Sequence, residues 1–387
     1  MNKIIPYGKQ YIEKSDIAAV SEALKKDKVT TGPYVKKFEN KISQFVKSKY
    51  STVCSSGTAA LYLAFQSINL KKNDVIIMPC ITFVSSYSIA KMFGAKVYLA
   101  DVDPDNGQMT PNDVINCCKK YKIKKLKLVV PMYHGGYPVN ARNFKKLKKK
   151  FNCYIIEDAC HAFGSTYKSN NKTFKIGSCK HADISTFSFH PLKSITTGEG
   201  GAVTTNSKKI YNKLKIYRSI GIKRSKEHWK YDIIEPSLNF RLSDIQCALG
   251  ISQLTKINKF IKKREQIAKL YNKFLKNNKI EVIKYDKNLK SAYHLYLLKI
   301  KNFNLRKKDI FFKFMKKKKI YIQYHYIPIY KFKVFKDKFI GKNAKYFYEH
   351  TVSLPIYFEL SKKNKNMLSI LFLVFSENEN SYRNSKF

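Results

Sequence analysis

DISTFSFHPLKSITTGEGGAVTTN, residues 183–206, is the stretch on which the reading of this chain turns. It begins as an apolar strand. The strand delivers Ser188, His190 and Lys193 into a Gly-rich turn, and a second strand follows. A Lys after a strand is ordinarily a solvated cation, and this chain has 68 of them. Here the setting differs: Ser, His and Thr surround Lys193, and GEGG lets backbone pack closely. A Lys held near cationic or desolvating groups becomes a nucleophile for carbonyls. The Gly-x-Gly-Gly piece is too short for a dinucleotide fingerprint, which needs GxGxxG opening a helix.

Working outward, short apolar runs alternate with amphipathic stretches from about residue 50 to 205. The runs are STVCS (51–55), DVIIMP (74–79), AKVYLAD (95–101), KLKLVVPMY (125–133), CYIIED (153–158) and DISTFSF (183–189). Helical patterns such as GTAALYLAFQSI (57–68) and ARNFKKLKKKF (141–151) lie between them. Buried strands separated by helices predict an α/β sheet, mainly parallel. Before it, SDIAAVSEALKK (15–26) reads as an amphipathic helix capped by Ser15. After it, one long helical pattern runs from about Leu242 to Leu275, with Ser243 as cap. EVIKYD, AYHLYLLKI and IYIQYHYIPI then read as strands of a smaller α+β domain. The expected division is a large domain over 1–250 and a small one over 251–387, with a polar, frayed tail at 376–387.

Two further segments carry chemistry. CSSGTAAL (54–61) sets small hydroxyl residues and Gly57 between a strand and a helix, where free N–H groups suit a phosphate. An ordinary Ser or Thr cap would look the same. In CYIIEDACHAFG (153–164), Glu157 and Asp158 close an apolar strand, where open α/β sheets place ligand sites. Such a carboxylate serves as metal ligand, base or partner of a cationic ring nitrogen. A phosphate site, a strand-end carboxylate and Lys193 have one economical explanation: pyridoxal 5′-phosphate (PLP). The Lys would bind the aldehyde, Asp158 would keep the pyridine nitrogen protonated, and the Gly-Thr turn would hold the phosphate.

Composition narrows the alternatives. The 387 residues include 75 Lys plus Arg against 27 Asp plus Glu, a formal charge of +48. Nucleic-acid binding is one reading of that excess. Only seven residues are Arg (142, 218, 224, 241, 264, 306 and 383), and Arg is the usual reader of bases and phosphates. The Lys are spread along the chain with abundant Asn, Ile, Tyr and Phe, which fits compositional drift on solvated faces. No nucleic-acid partner is expected. Nor is a membrane partner, since no run reaches the roughly 20 apolar residues of a spanning helix. MNKIIPYGKQYIEKSD lacks an apolar run of signal length, so a cytoplasmic location is expected. The eight Cys form no CxxC pair and read as reduced, mostly buried residues. Cys160, His161, Cys179 and His181 are poorly spaced as zinc ligands, so no metal is expected.

The residues resemble those of the PLP-dependent sugar aminotransferases of the DegT/DnrJ/EryC/StrS type, from about residue 4 to 360. The matching blocks are IPYGKQYI, TTGPYVKKFE, SSGTAAL, MPCITFVSS, GAKVYLADVD, IEDACHAFG, FSFHPLKSITTGEGGAVTTN, LNFRLSDIQCALGISQL and QYHYIPIY. The resemblance implies the type I aspartate-aminotransferase fold, with a mainly parallel seven-stranded sheet in the large domain. It implies Lys193 as Schiff-base lysine and Asp158 as partner of the pyridine nitrogen. Gly57, Thr58 and Ser188 would hold the phosphate, Phe83 would stack on the ring, and His161 would lie near its 3-hydroxyl. Asn239 resembles the residue that reaches the phosphate of the neighbouring subunit, which implies a homodimer with shared sites. Tyr7, Lys28, Val29, Thr30, Thr31, Ser56, Ser188, Asn239, Gln323, Tyr324, His325 and Tyr326 match segments lining the nucleotide-sugar site.

Within the family, IPYGKQYI, IEDACHA, FSFHPLKSITTGEGG and QYHYIP are most similar to members that aminate a UDP-linked 4-keto-6-deoxy-N-acetyl sugar towards pseudaminic acid. L-glutamate is their usual donor. KLVVPMYHGGYPVN departs from the family pattern, and the loop Lys223 to Pro236 is particular to this chain. The sugar is therefore less fixed than the chemistry, and other NDP-4-keto-6-deoxy sugars, of legionaminic, perosamine or bacillosamine type, stay open. Relatives that dehydrate rather than transaminate carry His in place of the lysine; Lys193 favours transamination. Intact Lys193 and Asp158 likewise disfavour an idle PLP-fold regulator.

Overall fold

A computed structural model describes residues 4–360, apart from 140, 228, 276–278, 284, 287, 336 and 337. The tail at 376–387 lies outside the described residues. Helix α1 (Lys14–Leu24) begins at Glu13 rather than at Ser15. The Asp16 carboxylate reaches back to the Glu13 amide at 3.1 Å, and the Ser15 hydroxyl is spent on the Glu13 side chain. A carboxylate one turn on is the better partner for the positive helix start. Helix α2 (Pro33–Val46) opens with Pro, whose missing N–H costs nothing there.

The alternation then unrolls as the apolar runs predict. β1 (Tyr50–Cys54), α3 (Gly57–Ser67), β2 (Val75–Pro79), α4 (Ser85–Met92), β3 (Lys96–Ala100), α5 (Pro111–Lys120) and β4 (Leu128–Val129) follow one another. Next come α6 (Phe144–Phe151), β5 (Tyr154–Asp158), a hairpin of β6 (Thr166–Ser169) and β7 (Lys172–Lys175), β8 (Ile184–Ser188), β9 (Gly201–Thr205) and α7 (Lys208–Tyr217). Seven strands make the central sheet, in the order β1-β9-β8-β5-β4-β2-β3. The run from β3 to β8 is parallel, and β9 lies antiparallel between β8 and β1. β4 is shorter than KLKLVVPMY suggests, because Pro131 cannot donate to the ladder. Helices cover both faces: one core joins α3, α4 and α7 to the sheet, and another joins α2 and α8 to the opposite face.

Beyond the sheet lie the hairpin β10 (Ile222–Arg224) and β11 (Tyr231–Ile233), then α8 (Asp244–Thr255) and α9 (Ile257–Phe274). The long helical pattern is thus two helices, broken at Lys256. Ser243 caps α8 as expected, accepting from the Gln246 amide at 3.2 Å. The break lets the Lys256 ammonium reach Asp16, which is fully buried, at 2.6 Å. The remaining elements are β12 (Ile280–Val282), β13 (Leu289–Lys290), β14 (Tyr296–Ile300), α10 (Leu305–Lys317), α11 (Lys342–His350) and β15 (Thr351–Leu354). β12, β14 and β15 form a small sheet, and β13 pairs with β6. IYIQYHYIPI is not a strand; Ile320 and Gln323 make single bridges to Ile5 and Ser353. Gln323, Tyr324, His325 and Tyr326 line a cavity instead, and β15 takes the sheet edge.

Candidate active site

At the end of β1, the Ser56 hydroxyl caps α3 by accepting from the Ala59 amide at 3.0 Å. That leaves the first amides of α3 at the positive end of the helix dipole without intrahelical partners. Gly57 is required by closeness: a Cβ there would stand 2.8 Å from Ser188 Cβ and 3.2 Å from Cys160 Sγ. The turn after β1 and the end of β8 are therefore pressed together, and the Thr58 and Ser188 hydroxyls line the same cavity as Gly57.

Glu157 and Asp158 part company because successive strand residues face opposite sides of a sheet. Glu157 is buried away from the cavity, held by the Tyr133 hydroxyl at 2.6 Å and by Ser185. Asp158 faces the cavity and is buried. It accepts from the Cys160 amide and the Ser86 hydroxyl, both at 3.3 Å. Burial raises its pKa, against the pull of those donors and of Lys193. A buried carboxylate so lightly held is a site for a cationic partner.

Lys193 enters the same cavity from the turn after β8. Burial lowers the pKa of its amine, and Cys160 and Asp158 oppose that shift. Its Nζ faces His294 Nε2 at 3.4 Å. His161 shares a hydrogen bond with the Tyr326 hydroxyl through Nε2 at 2.9 Å. Its buried Nδ1 has no hydrogen-bond partner among the described residues. Phe83 is 49% exposed on the cavity wall, its ring 5.7 Å from that of Tyr326. Tyr7 and Gln323 to Tyr326 form the far wall of a cavity of about 560 Å³, within the range of small-molecule sites.

PLP fits this donor set. Amides and hydroxyls at Gly57, Thr58 and Ser188 suit its phosphate, Asp158 its ring nitrogen, and the open Nδ1 of His161 its 3-hydroxyl. Phe83 suits the ring face and Lys193 the aldehyde.

Of the residues expected at the site, Tyr7, Ser56, Gly57, Thr58, Phe83, Asp158, His161, Ser188, Lys193, Gln323, Tyr324, His325 and Tyr326 line one cavity. Lys28, Val29, Thr30, Thr31 and Asn239 do not line the cavity of their own chain; all five are exposed. Val29 and Thr30 are joined to the segment that follows Asn239: Thr30 bridges Ser243, and the Asp244 amide donates to the Val29 carbonyl at 2.9 Å. The sequence reading missed Ser86, Cys160 and His294. His294 carried the one available signal, a polar residue inside the apolar run AYHLYLLKI.

The chain belongs to the DegT/DnrJ/EryC1/StrS aminotransferase family, whose pattern matches residues 10–370. It is 37% identical to the UDP-4-amino-4,6-dideoxy-N-acetyl-beta-L-altrosamine transaminase of Campylobacter jejuni, over 98% of this chain and 100% of that protein. The structure of Helicobacter pylori PseC, an aminotransferase involved in the biosynthesis of pseudaminic acid, superposes with a TM-score of 0.87 at 30% identity. The overlap covers 96% of this chain and 99% of that one. A Streptococcus pneumoniae protein assigned as a sugar aminotransferase, solved in its PLP form, gives 0.87 at 25% identity, covering 97% and 99%. The fold is the type I fold of PLP enzymes, the cofactor is PLP, and the activity is that of a sugar aminotransferase.

Proposed function

We propose that this enzyme carries an amino group from L-glutamate to C4 of a UDP-linked 4-keto-6-deoxy-N-acetylhexose, in the making of pseudaminic acid. It would do so in the cytoplasm, as a homodimer whose two sites are shared. The observation that carries the reading is Asp158 and Lys193 facing one cavity walled by Tyr7 and Gln323 to Tyr326. Similarity to the altrosamine transaminase over the full chain supports the choice of sugar.

Bound PLP supplies an electron sink and a carrier for the amino group. The protein's side chains do the rest. Asp158 holds a proton at the ring nitrogen, and that cation relieves the cost of its own burial. Lys193 takes a proton from the amino-acid carbon and returns it two atoms along, beyond the amino nitrogen, and in the second half-reaction delivers a proton to sugar C4. Burial disfavours the Lys193 ammonium, which makes its free amine easier to reach. Gly57, Thr58 and Ser188 hold the phosphate end, while Tyr7 and Gln323 to Tyr326 orient the sugar nucleotide. Lys28 to Thr31 and Asn239, which do not line the cavity of their own chain, would serve that of the other subunit.

The test is mass spectrometry of products from a panel of UDP- and other NDP-4-keto sugars with glutamate as donor. Amination at C4 of the UDP-N-acetyl substrate is expected. Turnover of a GDP- or TDP-linked sugar with none of the UDP-linked one would overturn the sugar assignment.

A further inference from the structure

His294 stands just before β14 and is nearly buried, 6% exposed. Its backbone is gripped from two sides. Arg264 of α9, itself buried, donates through Nη1 to the carbonyls of Tyr293 and His294 at 3.3 Å and of Ile356 at 2.8 Å. Gly136, at φ +95°, lies so close that a Cβ there would stand 2.6 Å from the His161 carbonyl and 3.3 Å from the His294 amide. The His294 ring packs on His161 with centroids 4.2 Å apart. Its Nδ1 is buried without a hydrogen-bond partner among the described residues. The polar contact the ring does make is with Lys193 Nζ, at 3.4 Å.

We propose that His294 is a positioning residue for Lys193: its Nε2 accepts a hydrogen bond from the lysine amine and holds Nζ where it exchanges protons with the substrate carbon. The groups facing His294 are Lys193, Arg264, His161, His134 and His325, with Asp158 and Cys160 facing Lys193 from the other side. Burial first, and then the neighbouring cations, hold the His294 ring neutral. A neutral ring with its proton on Nδ1 leaves Nε2 free to accept. That bond favours the protonated lysine, whereas an unpaired amine in the same place loses its proton more easily. The inference rests on Lys193 as the proton-transfer group, and its test is chosen to fail separately from that reading.

In cofactor-free protein, carbamylation of Lys193 by cyanate is followed against pH by mass spectrometry of its peptide. Replacement His294→Asn ends its amide one bond short of Nε2, whereas His294→Gln reaches as far. The Asn variant is expected to lower the reactivity midpoint by about half to one pH unit, making Lys193 about three- to tenfold more reactive below it. The Gln variant should restore the native midpoint. In the PLP-loaded enzyme, a single turnover with amino acid should slow about tenfold in Asn and recover in Gln. If the Asn protein fails to fold, Arg264→Lys loosens the His294 backbone and should shift the midpoint the same way by less. Equal midpoints, equal shifts in Asn and Gln, or an unaltered single turnover in a folded variant overturn the proposal. A borohydride adduct on a lysine other than 193 would instead overturn the assignment of Lys193, with the cyanate result still standing.

Discussion

Asp158 and Lys193 are opposite charges that the fold has moved out of water into one cavity, and each resists its charge there. Asp158→Asn should keep PLP, since the phosphate contacts lie elsewhere, yet lower turnover by about a hundredfold or more, because an amide cannot hold the ring proton. Native turnover in that variant would reduce Asp158 to a structural role. His134, behind the site, makes the converse point about buried bases. Burial pushes its pKa down to about 4, only partly offset by the His325 backbone. The unfolded chain, at the ordinary value of 6.5, therefore binds this proton first, and stability is lost as pH falls from 6.5 towards 4. The loss should be about 1 kcal/mol between pH 7.5 and 5.5. His134→Gln should lessen the pH dependence of urea unfolding by that amount; an unchanged dependence would mean the ring is not held neutral. Gly57, Thr58, Asp158, Ser188 and Lys193 could be read in sequence because each sits at a strand end or helix start inside a contiguous motif. His294 and Arg264 could not, because only tertiary packing of α9 and the approach to β14 against the turn after β8 brings them to Lys193.

Elements were readable where burial on both sides left an unbroken apolar run, as in β2, β5 and β8. They were misread where side chains serve a partner other than the sheet. IYIQYHYIPI has strand-like alternation, but Tyr324, His325 and Tyr326 line the cavity, and its backbone makes single bridges at Ile320 and Gln323 rather than a ladder. β15, TVSL, has four residues directly after a helix and no turn signal to announce it. The α8–α9 junction is likewise set by a distant residue. Lys256 meets Asp16 at 2.6 Å and Glu13 at 3.2 Å, and Gln253 donates to Asp16 at 2.8 Å, so α1 is pinned at the break. Asp16 also holds the amide that begins α1. Asp16→Ala would leave the largely buried Lys256 ammonium to Glu13 alone and lose the cap, and should cost about 2 kcal/mol in urea unfolding. A loss below about 1 kcal/mol, the scale of a surface pair, would show that solvent replaces the carboxylate easily.

At the scale of the molecule, five residues expected to touch substrate or cofactor miss their own cavity, and they miss it together. Lys28 to Thr31 are tied to Ser243 and Asp244, and Asn239 lies a few residues before them, bridged to Ser219. Exposed apolar side chains surround this patch: Val29, Leu238, Ile233 and Ile234 are 40%, 52%, 56% and 51% exposed. Apolar area at a site of unspent polar residues is what a partner surface needs. A second copy of the chain is the economical partner, because a two-fold pair would offer each cavity the missing residues of the other. The charge of +48 opposes such pairing but is spread over the whole chain, and salt screens it beyond roughly 8 Å. Sedimentation at assay concentration should therefore show a dimer, and a monomer alone would remove the idea. A sharper expectation concerns mixed subunits. Lys193→Ala abolishes the lysine of its own cavity, while Asn239→Ala damages the cavity across the interface. In a mixed dimer, the site holding the intact lysine receives the intact Asn239, and the other site lacks both. Two inactive proteins, once subunits have exchanged, should then recover activity of up to about half a native site per chain in the mixed fraction. Verified exchange without recovery would show that Asn239 serves its own subunit or none.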